Sequence, residues 1–168
     1  VIWFVQAVGE WFHVIDCLEA SGAGVEFYAS ALQEKKYVYR RHVWPHDGKA
    51  KVFGPQETRQ QIGERLLMPK PEVLPVGDLR DGIQAARSIL KRCKFDRKRC
   101  KDGLSGLRSY RHQYDQEHKR WRNEPEHDWA SNFADGFRTL AVHFRGPGGV
   151  KRPSSGMGGA SSGKDHPF

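Results

Sequence analysis

Aromatic and β-branched residues fill positions 1–8 and again 12–17, with Gly9-Glu10 between the two runs. Such runs joined by a short glycine-containing pair predict an antiparallel hairpin in a sheet with one buried face. After Ser21-Gly22 the period changes. Val25, Tyr28, Ala29 and Leu32 fall at i, i+3, i+4 and i+7, which predicts an amphipathic helix over 24–35. A third strand is predicted over 37–43 and is stopped by Trp44-Pro45, because proline lacks the ladder donor and restrains the residue before it.

The pattern then reads as a helix over 55–67 with Ile62 and Leu66 inward, and a short strand at Val73-Leu74-Pro75-Val76. Asp78 is a plausible N-cap for a helix whose predicted apolar stripe is Leu79, Ile83, Ala86, Leu90 and Cys93. A helix over 104–110 and a polar hairpin or loop over 114–125 follow. A last helix is predicted over 128–144. At roughly 100° per residue its buried stripe is Trp129, Phe133, Phe137, Leu140 and Phe144, with Asp128, Asn132 and Asp135 on the opposite side. Strands alternating with helices after an opening hairpin predict an α/β fold with a mixed sheet flanked by helices. Residues 146–168 change to Gly, Ser, Pro and Lys with almost no large apolar side chain. They are expected to be a disordered tail on a domain spanning 1–145.

Charge narrows the partners. Lys and Arg total 28 against 20 Asp and Glu, a formal net charge of +8, which points to a polyanion: DNA or RNA first, an anionic membrane surface second. Much of the excess is concentrated in Arg87, Lys91, Arg92, Lys94, Arg97, Lys98, Arg99 and Lys101, set against the single acid Asp96. No run approaches the roughly 18 apolar residues needed to span a bilayer, and no basic flank marks a signal peptide, so a soluble intracellular protein is expected. Cys17, Cys93 and Cys100 have neither zinc spacing nor an even count, and read as buried or incidental thiols. The chain has no initiator Met and its first residues already read as strand interior, so it is expected to be a fragment.

Two places could carry chemistry. Trp44-Pro45-His46-Asp47-Gly48 delivers Asp47 to the end of a strand, where open α/β sheets usually bind ligands and where a carboxylate suits Mg²⁺ or Mn²⁺. Taken alone, Asp47 reads as an Asx turn before Gly48. On the last helix, Asp128 suits the first turn through the helix dipole, whereas Asp135 sits in mid-helix despite the poor helix propensity of Asp. His46 and His127 flank these acids, and each alone reads as a structural or surface histidine. Gly158-Gly159-Ala160-Ser161-Ser162-Gly163-Lys164 has P-loop spacing, but Asp165 stands where Ser or Thr should hold Mg²⁺ and no strand or helix flanks it.

Together, Pro45-His46-Asp47-Gly48-Lys49-Ala50-Lys51, Asp81-Gly82-Ile83-Gln84-Ala85-Ala86-Arg87 and His127-Asp128-Trp129-Ala130-Ser131-Asn132-Phe133-Ala134-Asp135-Gly136-Phe137-Arg138 resemble the C-terminal nuclease domain of tailed-phage terminase large subunits. The order and spacing agree over roughly residues 1–145, and Ile15-Asp16-Cys17-Leu18-Glu19-Ala20-Ser21-Gly22 resembles that family's second long strand and turn. The resemblance implies an RNase H-like fold and a two-metal endonuclease that cuts concatemeric phage DNA during packaging. Asp47 and Asp135 would be catalytic and metal-binding, with His46, Asn132 and Asp128 as supporting residues and Lys49, Lys51, Arg120 and Arg122 on DNA. The ions implied are two Mg²⁺ or Mn²⁺. The partners implied are double-stranded DNA, the portal protein, the small terminase subunit and the ATPase domain of the full-length large subunit, in the cytoplasm of the bacterial host, with no membrane.

Two departures from the family pattern stand out. Asn132 occupies a position where the family often has His, and the family's first-strand acid would precede Val1. A fragment without it is expected to cut poorly or not at all. The alternative is a non-catalytic module that docks DNA or the portal through its basic surface. A resolvase- or transposase-type enzyme of the same fold is a third reading, less suited to the motifs around Asp47 and Asp135.

Overall fold

The computed structural model describes residues 1–51 and 57–145 of the chain. It is a mixed α/β fold. The predicted tail at 146–168 and the start of the helix predicted over 55–67 lie outside the described residues.

The opening hairpin is as predicted: β1 (Ile2–Val8) and β2 (Trp11–Leu18) pair antiparallel, and Gly9 takes the positive φ (+59°) that the tight turn needs. Its ladder contains one irregularity. Phe4 opposes Asp16 but Val5 opposes Val14, so Ile15 is the extra residue of a bulge. The bulge decides which way β2 faces. Phe12, Val14 and Cys17 join Trp3 and Val5 on one face, whereas Ile15 and Leu18 join Ile2 and Phe4 on the other. In uninterrupted alternation Asp16 would follow Phe12 and Val14 into the first core; the extra residue turns it to the other face.

Both faces are covered. Against the first pack α3 (Leu79–Leu90), α4 (Lys101–Ser109) and α5 (Trp129–Arg145), around a core of Phe12, Val14, Ala85, Ile89, Cys100, Phe137 and Ala141. Burying each of the larger apolar side chains there contributes about 1.5–3 kcal/mol. Against the second lie α1 (Val25–Glu34) and the end of α2 (Arg59–Leu66), through Ala29, Leu32, Leu67 and Phe4. Glycines let the helices come close: Cβ atoms at Gly103 and Gly106 would collide with the rings of Trp3 and Phe133.

The predicted strand over 37–43 narrows to β3 (His42–Trp44), and the one at 73–76 shifts to β4 (Pro71–Val73), parallel to it. A strand not anticipated, β5 (Cys93–Phe95), pairs parallel with β2 and makes a sheet of order β1-β2-β5. The polar 114–125 stretch is indeed a hairpin, β6 (His112–Asp115) with β7 (Arg120–Pro125).

Two predicted stripes need correcting. On α3 the buried residues are Gly82, Ala85 and Ile89, while Leu79 and Leu90 are exposed. The helix is turned by about one position because its close neighbour is Arg138 of α5, which fits over Gly82. On α5, Phe133 and Phe137 are buried as predicted, but Trp129 is exposed and small residues Ala130, Ala134 and Ala141 fill the interface. Among the described residues, no helix is long and apolar enough to cross a membrane.

Candidate functional site

Asp47 lies in a 3-10 turn (His46–Lys49) immediately after β3, at the carboxyl end of the parallel pair β3–β4. Gly48 makes that turn possible by passing close to Trp44 and Val73, where a Cβ would come within 3.2 Å of each. The Asx turn is not what occupies the carboxylate. Its Oδ2 accepts a hydrogen bond from Arg59 Nη1 at 3.1 Å, across the turn from the start of α2. Arg59 is positioned by the helix start, where Thr58 and Gln61 form a reciprocal capping box.

Asp135 lies on α5, which packs on α3, α4, β1 and β3. Trp3 anchors this part of the helix to β1: its indole Nε1 donates to the Phe133 carbonyl at 3.0 Å, and its ring packs edge-on to Phe133 and Phe137. Asp135 is paired with Arg138 at 3.1 Å, one turn along the same helix. The stem of Arg138 lies in the notch left by Gly82 on α3, so a residue from the resembling Asp81-Gly82-Ile83 stretch helps place the guanidinium. Tyr110, at the end of α4, has its hydroxyl pKa raised by burial and, second, by the charge of Asp135.

The supporting residues take simpler roles. Asp128 caps α5: its Oδ1 accepts from the Ala130 backbone N–H at 2.9 Å, and its carbonyl accepts from Ser131 Oγ. Asn132, His46 and His127 are exposed. Lys49 and Lys51 are exposed and in no ion pair among the described residues. Arg122 is engaged elsewhere, donating twice to the buried carboxylate of Asp115, which also meets His118. The backbone N–H of His118 is the foremost cause holding the Asp115 carboxyl below its ordinary pKa.

A further acid, Asp16, is 5% exposed on β2 and carries the most extensive side-chain network of the sheet. It accepts from Lys35 Nζ at 2.6 Å, from the Cys17 backbone and from Tyr37 Oη at 3.3 Å, while Arg99 donates to the same Tyr37 hydroxyl. The residue types could be read in sequence, but their convergence across 19 and 62 positions could not. Burial holds the Cys17 thiol at about 12 and those of Cys93 and Cys100 at about 11, so all three stay protonated near neutral pH.

Two carboxylates about half exposed, each on its own arginine, do not by themselves make a metal centre. Among the described residues no three His, Cys, Asp or Glu side chains gather in a way that could hold an ion. Asp47 and Asp135 share no hydrogen bond or ion pair with each other among those residues. The donor set thus falls short of the two-ion centre that the resemblance implies. Comparisons of the chain with protein-family models, curated proteins and solved structures returned no match.

Proposed function

We propose that the chain forms most of an RNase H-like nuclease domain of the terminase type, acting on double-stranded phage DNA in the bacterial host cytoplasm, with Asp47 and Asp135 as two of its acids. The observation that carries this reading is placement. Asp47 sits at the carboxyl end of a parallel strand pair, and Asp135 sits on the helix that packs against both β1 and β3. The sheet arrangement supports it as well. Among the described residues β1 pairs only with β2, and β3 only with β4, so each strand has an edge without a strand partner, and the same helix packs on both strands. An additional acid-bearing strand of the kind the family places first would find hydrogen-bonding edges there. The Mg²⁺ or Mn²⁺ ions the family uses call for that further donor. The portal, the small terminase subunit and the ATPase domain are the partners this reading implies.

The second reading, a non-catalytic module docking DNA or the portal, is favoured by the arginine on each acid. Plasmid cleavage in Mn²⁺ or Mg²⁺ separates the two. The chain carrying an added N-terminal acid-bearing strand should nick supercoiled plasmid, the chain alone should do so weakly or not at all, and Asp135→Ala in the extended chain should abolish nicking. A folded extended chain that binds DNA and never cuts it with either ion would leave the docking module as the reading.

A further inference from the structure

Positive charge is handled differently in two parts of the molecule. Arg41, Arg59, Arg65, Arg111, Arg122 and Arg138 each meet a carboxylate. Along the outer edge of the three-stranded sheet, no carboxylate pairs with Lys91, Arg92, Lys94, Arg97 or Lys98 among the described residues. The one acid in that stretch, Asp96, turns its Oδ1 to the backbone N–H groups of Lys98 and Arg99 at 2.9 and 3.0 Å, so it fixes the turn presenting Arg97 and Lys98 instead of bonding their side chains.

Aromatic rings organise this edge. Lys94 Nζ lies 4.5 Å from the centroid of Trp11, which is 38% exposed at the hairpin tip, and the Arg92 guanidinium lies 4.9 Å from that of Phe12. Cation–π contacts restrain both side chains while leaving the charge free to meet an anion. Lys94 stands opposite His13 in the parallel register, on a strand with no partner on its other side among the described residues.

We infer that this edge, running from Trp11 through Lys91, Arg92 and Lys94 to Arg97 and Lys98, is a binding surface for a nucleic-acid backbone that begins at the hairpin tip, away from Asp135. Trp3 anchors α5 next to Asp135, whereas Trp11 opposes Val8 at the other end of β1. Five strand residues at roughly 3.3 Å each separate these ends by about 17 Å. Duplex DNA presents one charge per about 1.7 Å of axis, so a duplex along the three residues of β5, about 10 Å at roughly 3.3 Å each, offers about six phosphates. Concentrated cations in no ion pair among the described residues, on an extended edge, suit such a ligand better than a small anion, and the contacts read charge without sequence. The inference rests on the nucleic-acid partner proposed above and is independent of cleavage.

The test is binding of a labelled 30-base-pair duplex across a salt series, with the Lys91→Gln/Lys94→Gln/Arg97→Gln variant beside the unaltered chain. Each lost phosphate contact lowers the slope of log affinity against log salt by about 0.9, so the triple variant should show a slope shallower by about 2 to 3. Removing three charges elsewhere, Lys36→Gln/Arg40→Gln/Lys70→Gln, should leave the slope in place. An unchanged slope in the edge variant would overturn the inference, as would binding to phosphatidylserine vesicles with none to the duplex. Circular dichroism and the urea midpoint verify folding. Should the triple variant unfold, Lys94→Gln alone must lower the slope by about 1. An extended chain that never nicks plasmid, while the edge variant still shows the shallower slope, would count against the nuclease reading alone.

Discussion

Trp3 and Trp11 occupy opposite ends of one strand pair, and the molecule uses them in opposite ways. Trp3 is enclosed: Phe95 of β5 and Phe133 and Phe137 of α5 meet its ring, Gly103 of α4 is bare to admit it, and its N–H is bonded. Trp11 is partly open to solvent beneath a lysine. At the first end Asp135 is paired with Arg138; at the second, Lys91, Arg92, Lys94, Arg97 and Lys98 form no ion pair among the described residues. The same residue type therefore reports packing at one end and recognition at the other. Which role it takes depends on the elements arriving from far along the chain.

The sharpest way to break this contrast is to truncate both rings. Trp3→Ala should lower unfolding free energy by about 3–5 kcal/mol in urea, the cost of emptying a large aromatic site. Trp11→Ala should cost no more than about 1 kcal/mol. Comparable losses would mean that the tip is core and not surface.

A smaller effect comes from pH. Burial lowers the pKa of His42 and His143 from the ordinary 6.5, and the Nε2 of His42 has no hydrogen-bond partner among the described residues. The folded chain then binds fewer protons than the unfolded one as pH falls below 6.5. Their contribution is present above 6.5 and lost as pH drops toward the folded values. The urea midpoint should be lower at pH 5.5 than at 7.5, and His42→Leu with His143→Leu should flatten the difference. A midpoint that rises on acidification would contradict buried, neutral imidazoles.

The mildest test uses α3, which touches both ends through Gly82 and Lys91. Asp78 accepts from the backbone N–H groups of Arg80 and Asp81, so Asp78→Ala should cost about 1 kcal/mol. Amide exchange should quicken around Gly82 and leave the last turn of α3 unchanged. Uniform quickening along the helix would show that the two ends are not separable.

What is local could be read along the chain. Gly9 between two aromatic runs, the i, i+3, i+4 spacing from Val25, Asp78 ahead of an apolar stripe and the excess of basic residues after Arg87 are legible because turn chemistry, helical period and charge act over a few residues. Asp47 at a strand end and Asp135 in mid-helix were legible in the same way. Tertiary structure decided the rest. The bulge at Ile15 sets the face of Asp16, Arg138 over Gly82 turns α3 by about one position, and pairing with β2 makes a strand of Cys93–Phe95. It also chose the partners, placing Arg59 on Asp47 and Arg138 on Asp135 while, among the described residues, leaving Lys91, Arg92, Lys94, Arg97 and Lys98 out of ion pairs. Periodicity says which side of an element is apolar. Only the packing of one element on another fixes which of several nearly equivalent residues is buried and which charges meet.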